Sequence, residues 1–163
     1  MQEDNQFRGE VSPTEPLLSS ERNHLRLDDV HAMLSQSYWS PGITKDEIAA
    51  GIENSALAVG AYAADGRQIG FLRVISDKVR FAYILDVIVA EDYRGRGTGQ
   101  AMVRFAMTHP DLQPVYQWML KTKDAHGVYA RCGFVAIEDP ERWMGMMQRR
   151  PDRKVFPSEA VRD

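Results

Sequence analysis

The chain has 163 residues, 44% of them hydrophobic and 26% charged, with a formal net charge of −3. These proportions fit one folded domain and exclude disorder as the main state, while the negative balance excludes a global basic field for gripping nucleic acid. The single cysteine, Cys132, excludes an intramolecular disulfide and suits a reducing compartment. No apolar run approaches the ~20 residues of a membrane span. Residues 1–5 are acidic and polar, without the basic and apolar parts of a signal peptide, so the expected location is cytoplasmic, with no membrane partner.

Residues 1–22 are polar, carry Pro13 and Pro16, and are expected to form a flexible N-terminal arm. Residues 149–163 mix basic residues with Pro151 and Pro157 and are expected to form a C-terminal tail, which leaves 23–148 as the folded domain. Within it, Leu25 and Leu27 predict a short first strand. Asp28 or Asp29 is placed to cap a helix bearing Val30, Met33 and Leu34, and Pro41-Gly42 breaks the chain after it. Thr44 followed by Glu47 is a capping box opening a second helix with Ile48 and Ile52 on its apolar stripe. Residues 57–63 and 68–75 read as strands joined at Asp65-Gly66, and 80–89 as a third long strand after the Ser76-Asp77-Lys78 turn. This is an antiparallel meander.

The pattern then changes. A glycine-rich loop leads into a helix with Met102, Phe105 and Ala106. Residues 115–121 read as a strand, and Asp124 is placed to cap a short helix that ends at Gly133. Two last strands are expected at 134–137 and 143–147. Strand, loop, helix, strand is a crossover unit, so this half should pair in parallel. The expected fold class is α+β with a mixed sheet. Trp118 and Trp143 are expected to pack. Met144, Met146 and Met147 suit core filling first, and an adaptable pocket or the edge of a homodimer second.

The loop Tyr93-Arg94-Gly95-Arg96-Gly97-Thr98-Gly99-Gln100 is the most informative segment. Small residues let backbone approach a ligand and take positive φ. Successive amides at a helix start are anion donors, and Arg94 and Arg96 add charge there. The occupant this predicts carries phosphate. It is not held by a P-loop, because Gly97-Thr98-Gly99-Gln100 lacks the lysine, nor by a dinucleotide fingerprint, because the third glycine position falls on Gln100 or Met102.

Arg94-Gly95-Arg96-Gly97-Thr98-Gly99 resembles the Gln/Arg-x-x-Gly-x-Gly/Ala signature of the GNAT acyl-CoA N-acyltransferases. Leu85-Asp86-Val87-Ile88-Val89 resembles that family's central strand, and Tyr129-Ala130-Arg131-Cys132-Gly133-Phe134 its later Tyr-x-x-x-Gly-Phe element. The resemblance implies a GNAT fold, its sheet splayed between the fourth and fifth strands and flanked by about four helices. It implies acetyl-CoA as co-substrate, with the pyrophosphate on Arg94, Gly95, Arg96, Gly97, Thr98, Gly99 and Gln100, and the pantetheine arm along Val87, Ile88 and Val89. It implies direct transfer of an acetyl group to a primary amine of a small molecule. An acyl-CoA-sensing module without turnover and a protein N-acetyltransferase are the alternatives.

The resemblance also implies roles. Tyr129 falls where the family places the acid that protonates the leaving thiolate. A backbone amide of the central strand, Val87 or Val89, falls where it places the oxyanion donor. The base position falls on Tyr83, a poor base at neutral pH, so Asp86 and a water chain ending at Tyr83 stand beside it. Strand alternation alone puts Asp86 on the opposite face from Tyr83, unless a bulge intervenes. Tyr38 and Trp39 fall in the acceptor-pocket wall, and His126 lies beside the cleft as a substrate contact or a bystander on its helix. The histidines show no metal-ligand spacing, so no metal is expected. Cys132 reads as a small packing residue, since direct transfer needs no thiol nucleophile.

Overall fold

The computed structural model describes residues 15–147. Five strands form one sheet in chain order: β1 (Leu17–Ser19), β2 (Leu57–Tyr62), β3 (Gln68–Ser76), β4 (Phe81–Val89) and β5 (Gln117–Leu120). The first three pairings are antiparallel and β4–β5 is parallel. Four α-helices, α1 (Leu27–Leu34), α2 (Lys45–Glu53), α3 (Thr98–Met107) and α4 (His126–Ala130), flank the sheet. The mixed α+β sheet with its parallel crossover is the expected one.

The meander follows from its turns. Gly66 takes φ +82° between β2 and β3, and the Ala63 amide donates to the Arg67 carbonyl across that turn. Between β3 and β4 the Asp77 carboxylate accepts the backbone N–H groups of Val79, Arg80 and Phe81. The Thr44 capping box forms as read, with the Glu47 N–H donating to Thr44 Oγ1 and the Thr44 N–H to Glu47 Oε2.

Each face of the sheet carries its own core. Val30 and Leu34 of α1 and Ile48 of α2 pack with Ala58, Phe71 and Ile88 on one face. Met102, Val103 and Ala106 of α3 pack with Val59, Ile69, Leu72 and Ile84 on the other, and Tyr129 of α4 joins them. Gly70 lets α3 sit close, since a Cβ there would meet the Met102 thioether and the Ala61 methyl at 3.0–3.1 Å.

Several expectations are corrected. The first strand lies at Leu17–Ser19, paired to β2, so the expected N-terminal arm contributes to the sheet; Leu25 follows a 3₁₀ turn and Leu27 opens α1. Leu17–Ser19 holds its place through a short ladder to β2, which the polar residues around it concealed. Neither Asp28 nor Asp29 caps α1: the N-cap is Arg26, whose N–H donates to the Gln68 side chain, and the two acids sit inside the first turn. Asp124 does not cap α4 either, because Ala125 holds that position and its N–H donates to Thr122 Oγ1.

No strand forms at 134–137 or 143–147. Val135, Met144, Met146 and Met147 are 85% or more exposed and Trp143 is half exposed, so these side chains do not fill the core. Trp118 packs as read. Residues 1–14 of the expected arm and the whole expected tail, 149–163, lie outside the described residues.

Candidate active site

The site begins where β4 and β5 part. Their pairing runs from Phe81↔Gln117 to Ile84↔Leu120 and stops, while β4 continues to Val89. The edge of β4 beyond Ile84 therefore carries backbone groups without a partner strand, which must find another hydrogen-bonding partner or water. Val87, Ile88 and Val89 all lie on this stretch.

At the far end of β4 the glycine-rich loop takes the shape its glycines allow. Gly95 and Gly97 have φ of +74° and +83°, and Gly97 is the N-cap of α3. A side chain at either position would meet nothing within 4 Å, so what these glycines supply is backbone freedom and open approach. The first amide of this region to find an acceptor is Ala101, which donates to the Gly97 carbonyl; the preceding N–H groups from Gly95 to Gln100 have no acceptor among the described residues. A row of six free donors at the positive end of a helix favours an oxyanion.

Charge is held beside this row. Arg94 Nε donates to the Val89 carbonyl at 2.9 Å and ties the loop to the strand. Arg96 reaches back to the Asp92 carbonyl and lies over the Tyr93 ring, whose other neighbour is Arg67. Arg67 also pairs with Asp92 and holds that carboxyl below its ordinary pKa.

The two faces of the molecule meet at the gap between the strands. Tyr38, in the connection after α1, accepts the Lys123 backbone N–H at 3.2 Å beyond the end of β5. Its ring packs edge-on against Trp39 and lies beneath the Lys123 ammonium. Both aromatics remain largely exposed, at 50% and 42%. Tyr129 approaches from the α3–α4 side. It is buried, with its ring edge-on to Phe134. Burial first, and then the nearby Tyr38, Cys132 and Asp124, push its phenol up to about 12.

Tyr83 is half-buried on β4, opposite Met119 of β5 and one residue before the strands part. Asp86 does not lie where alternation puts it. Between Phe71↔Ile88 and Arg73↔Leu85 the register slips, so Asp86 and Val87 together stand opposite the single residue Leu72. This is a β-bulge, with Asp86 at φ +56°. It turns the Asp86 carboxylate onto the Tyr83 face, where it accepts the Arg73 Nε–H at 2.5 Å.

His126 opens α4 and is exposed, and among the described residues no side-chain hydrogen bond or ring contact joins it to Tyr38 or Tyr129. Cys132 is half-buried; burial pushes its thiol up, and its Sγ makes a long contact to the Gln100 carbonyl. Among the described residues no three His, Cys, Asp or Glu side chains come together as a metal-ligand set.

Sequence reading missed Arg73 and Lys123. Arg73 is the single charged residue on its strand, as Asp86 is on the next one, and two lone opposite charges on a hairpin are a usable signal. Lys123 gave none, because its contact with Tyr38 spans 85 residues.

Residues 56–136 match the sequence profile of the acetyltransferase (GNAT) domain. Glucosamine 6-phosphate N-acetyltransferase 1 of Oryza sativa subsp. japonica is 30% identical over 117 residues, 63% of this chain and 71% of that protein. A GNAT-family protein of Xanthomonas campestris pv. campestris superposes with a TM-score of 0.75 at 39% identity, covering 82% of this chain and 93% of the other. The glucosamine-6-phosphate N-acetyltransferase of Arabidopsis thaliana shares the fold, with a TM-score of 0.60 at 18% identity over 84% of this chain and 99% of the other. A parted β4–β5 pair, a free-amide loop at the head of α3 and these relatives agree: the chain belongs to the GNAT acetyltransferase family.

Proposed function

We propose that this N-acetyltransferase moves the acetyl group of acetyl-CoA directly onto a primary amine of a small molecule. The observation that carries the reading is the row of unpartnered amides from Gly95 to Gln100, at the end of a strand whose edge is open beside Tyr38 and Tyr129. The loop fits a pyrophosphate, and the free edge along Val87, Ile88 and Val89 fits an extended amide-bearing arm. Acetyl-CoA supplies a thioester, whose carbonyl carbon accepts the amine and whose thiolate leaves.

The chain's own tasks follow. The neutral amine nitrogen forms a bond to the carbonyl carbon, and the carbonyl oxygen takes up the electron pair. The backbone N–H of Val87 or Val89 stabilises that oxyanion. As the carbon–sulfur bond breaks, the Tyr129 phenol gives its proton to the thiolate and regains one from solvent. The amine sheds its proton to water held at Tyr83. Arg73 occupies the Asp86 carboxylate, which leaves the water route at Tyr83 as the simpler exit. Tyr38 and Trp39 form the wall against which the acceptor is held, and His126 stands at its outer rim. Enclosing both reactants lowers the entropic barrier to their meeting.

The test is release of free CoA thiol from acetyl-CoA with a panel of amines: polyamines, amino acids, aminoglycosides and phosphorylated amino sugars. The last class is included because the rice relative's name specifies one. Turnover on at least one small amine is expected. Binding of acetyl-CoA with no amine acetylated overturns the transferase reading, and turnover confined to peptide N-termini or lysines overturns the small-molecule acceptor.

A further inference from the structure

Arg73 and Asp86 form a mostly buried ion pair, with side chains 22% and 8% exposed. Such a pair is costly to desolvate and is weak evidence of stabilisation on its own, so its location is what counts. It sits at the one slip in the β3–β4 ladder. Asp86 is in the left-handed region, where an aspartate is tolerated but strained. Its carboxylate reaches across to Arg73 on the neighbouring strand. The Arg73 guanidinium is backed by α2 at Gly51, where an added Cβ would lie 3.4 Å from Cζ and Nη1. Three elements thus close on one bulge.

The bulge has a consequence for β4. Ile84, before it, packs into the α3-side core, and Ile88, after it, packs into the α1–α2 core, although simple alternation would put both on one face. Val87 stands inside the bulge, with no residue of its own opposite on β3 and no β5 neighbour. Val87 therefore stands outside the regular register of both ladders, next to the strained Asp86.

Resting on the reading of the site as an acetyl-transfer centre, we propose that Arg73 and Asp86 are positioning residues. Their ion pair holds the bulge in the shape that aims the Val87 N–H at the reacting carbonyl, and Asp86 acts through that shape rather than as the proton acceptor.

Four variants separate the roles, assayed with an amine that the wild type acetylates. Asp86→Asn tolerates positive φ, and its Oδ1 still accepts the Arg73 Nε–H, but it cannot take up a proton at neutral pH. It removes the charge pairing but keeps the hydrogen bond, so it is expected to lower kcat by less than about fivefold, well short of the loss on removing Arg73, and to keep the wild-type pH profile. Arg73→Met removes the clamp and is expected to lower kcat by about 10- to 100-fold, as a misaimed donor does, with KM for acetyl-CoA unchanged. Arg73→Lys is expected to recover part of that loss.

If Arg73→Met does not fold, because it strands a buried carboxylate, the double variant Arg73→Met/Asp86→Asn leaves no buried charge unpaired. It is expected to fold and show the same kcat loss. The proposal is overturned if Asp86→Asn loses turnover together with the acid limb of the pH profile, or if a folded Arg73→Met or double variant keeps wild-type kcat. Those outcomes leave the transferase reading intact, whereas a wild type that acetylates no amine overturns both.

Discussion

The Tyr129 phenol keeps its proton well above neutral pH, because burial pushes it up to about 12. That keeps a proton on hand for the transfer to the thiolate proposed above, although a raised phenol is also a weaker acid. Tyr129→Phe keeps the ring packed against Phe134 and removes only the acid, so kcat is expected to fall about 100-fold with acetyl-CoA affinity unchanged, checked by steady-state kinetics and calorimetry. The same shift has a stability sign. Folded Tyr129 holds its proton where the unfolded chain, near pH 10, loses it. Its contribution is therefore full below about pH 10 and is lost as pH rises toward 12.

Asp77 behaves oppositely: N–H groups of Phe81, Arg80 and Val79 bring its carboxyl down to about 2 from 3.8. Its contribution is present above the unfolded value and is lost as pH falls toward 2. In acid titrations followed by circular dichroism, Asp77→Ala is expected to be less stable than wild type at neutral pH, and the gap is expected to close toward pH 2. The Asp77 turn was legible from Ser76-Asp77-Lys78. The neighbours that raise the Tyr129 phenol were not, since Tyr38 lies on the other face of the sheet.

Among the elements, α2 and α3 show how differently helix starts arise. Thr44 and Glu47 close a capping box within four residues, which is why it could be read directly. α3 has no side-chain cap at all: its N-cap is Gly97 in the left-handed region, and its first amides are left open. Gly97→Ala meets no atom within 4 Å, so its cost is backbone strain of about 1–2 kcal/mol at that position. If a shifted loop relieves that strain, the amide row is no longer aligned. The Kd for acetyl-CoA is expected to rise about tenfold, measured by isothermal calorimetry. Asp124 failed as a cap because a cap is defined by one residue's backbone angles, and sequence places helix ends only to within a residue or two. The strands expected at 134–137 and 143–147 had suitable side chains, but they lack a ladder partner, which no composition supplies.

For the whole molecule, β3 is the common wall of two cores. Phe71 faces the α1–α2 core and Leu72, the next residue, faces the α3 core. Phe71→Ala is expected to cost about 3–5 kcal/mol and to lower the melting temperature of the entire chain in one transition, because both cores share this strand. Calorimetry checks this: two separate transitions would show that the faces melt independently.

Local sequence determined what depends on neighbours in the chain: the meander turns, the capping box of α2, and the glycine loop with its free amides. Those features are set by φ preferences and hydrogen bonds over a few residues. Tertiary structure decided the rest. The parting of β4 from β5, the slip that turns Asp86 to Arg73, and the meeting of Tyr38 with Lys123 depend on register and on contacts between distant segments, and no local rule fixes the register of a strand that carries a bulge.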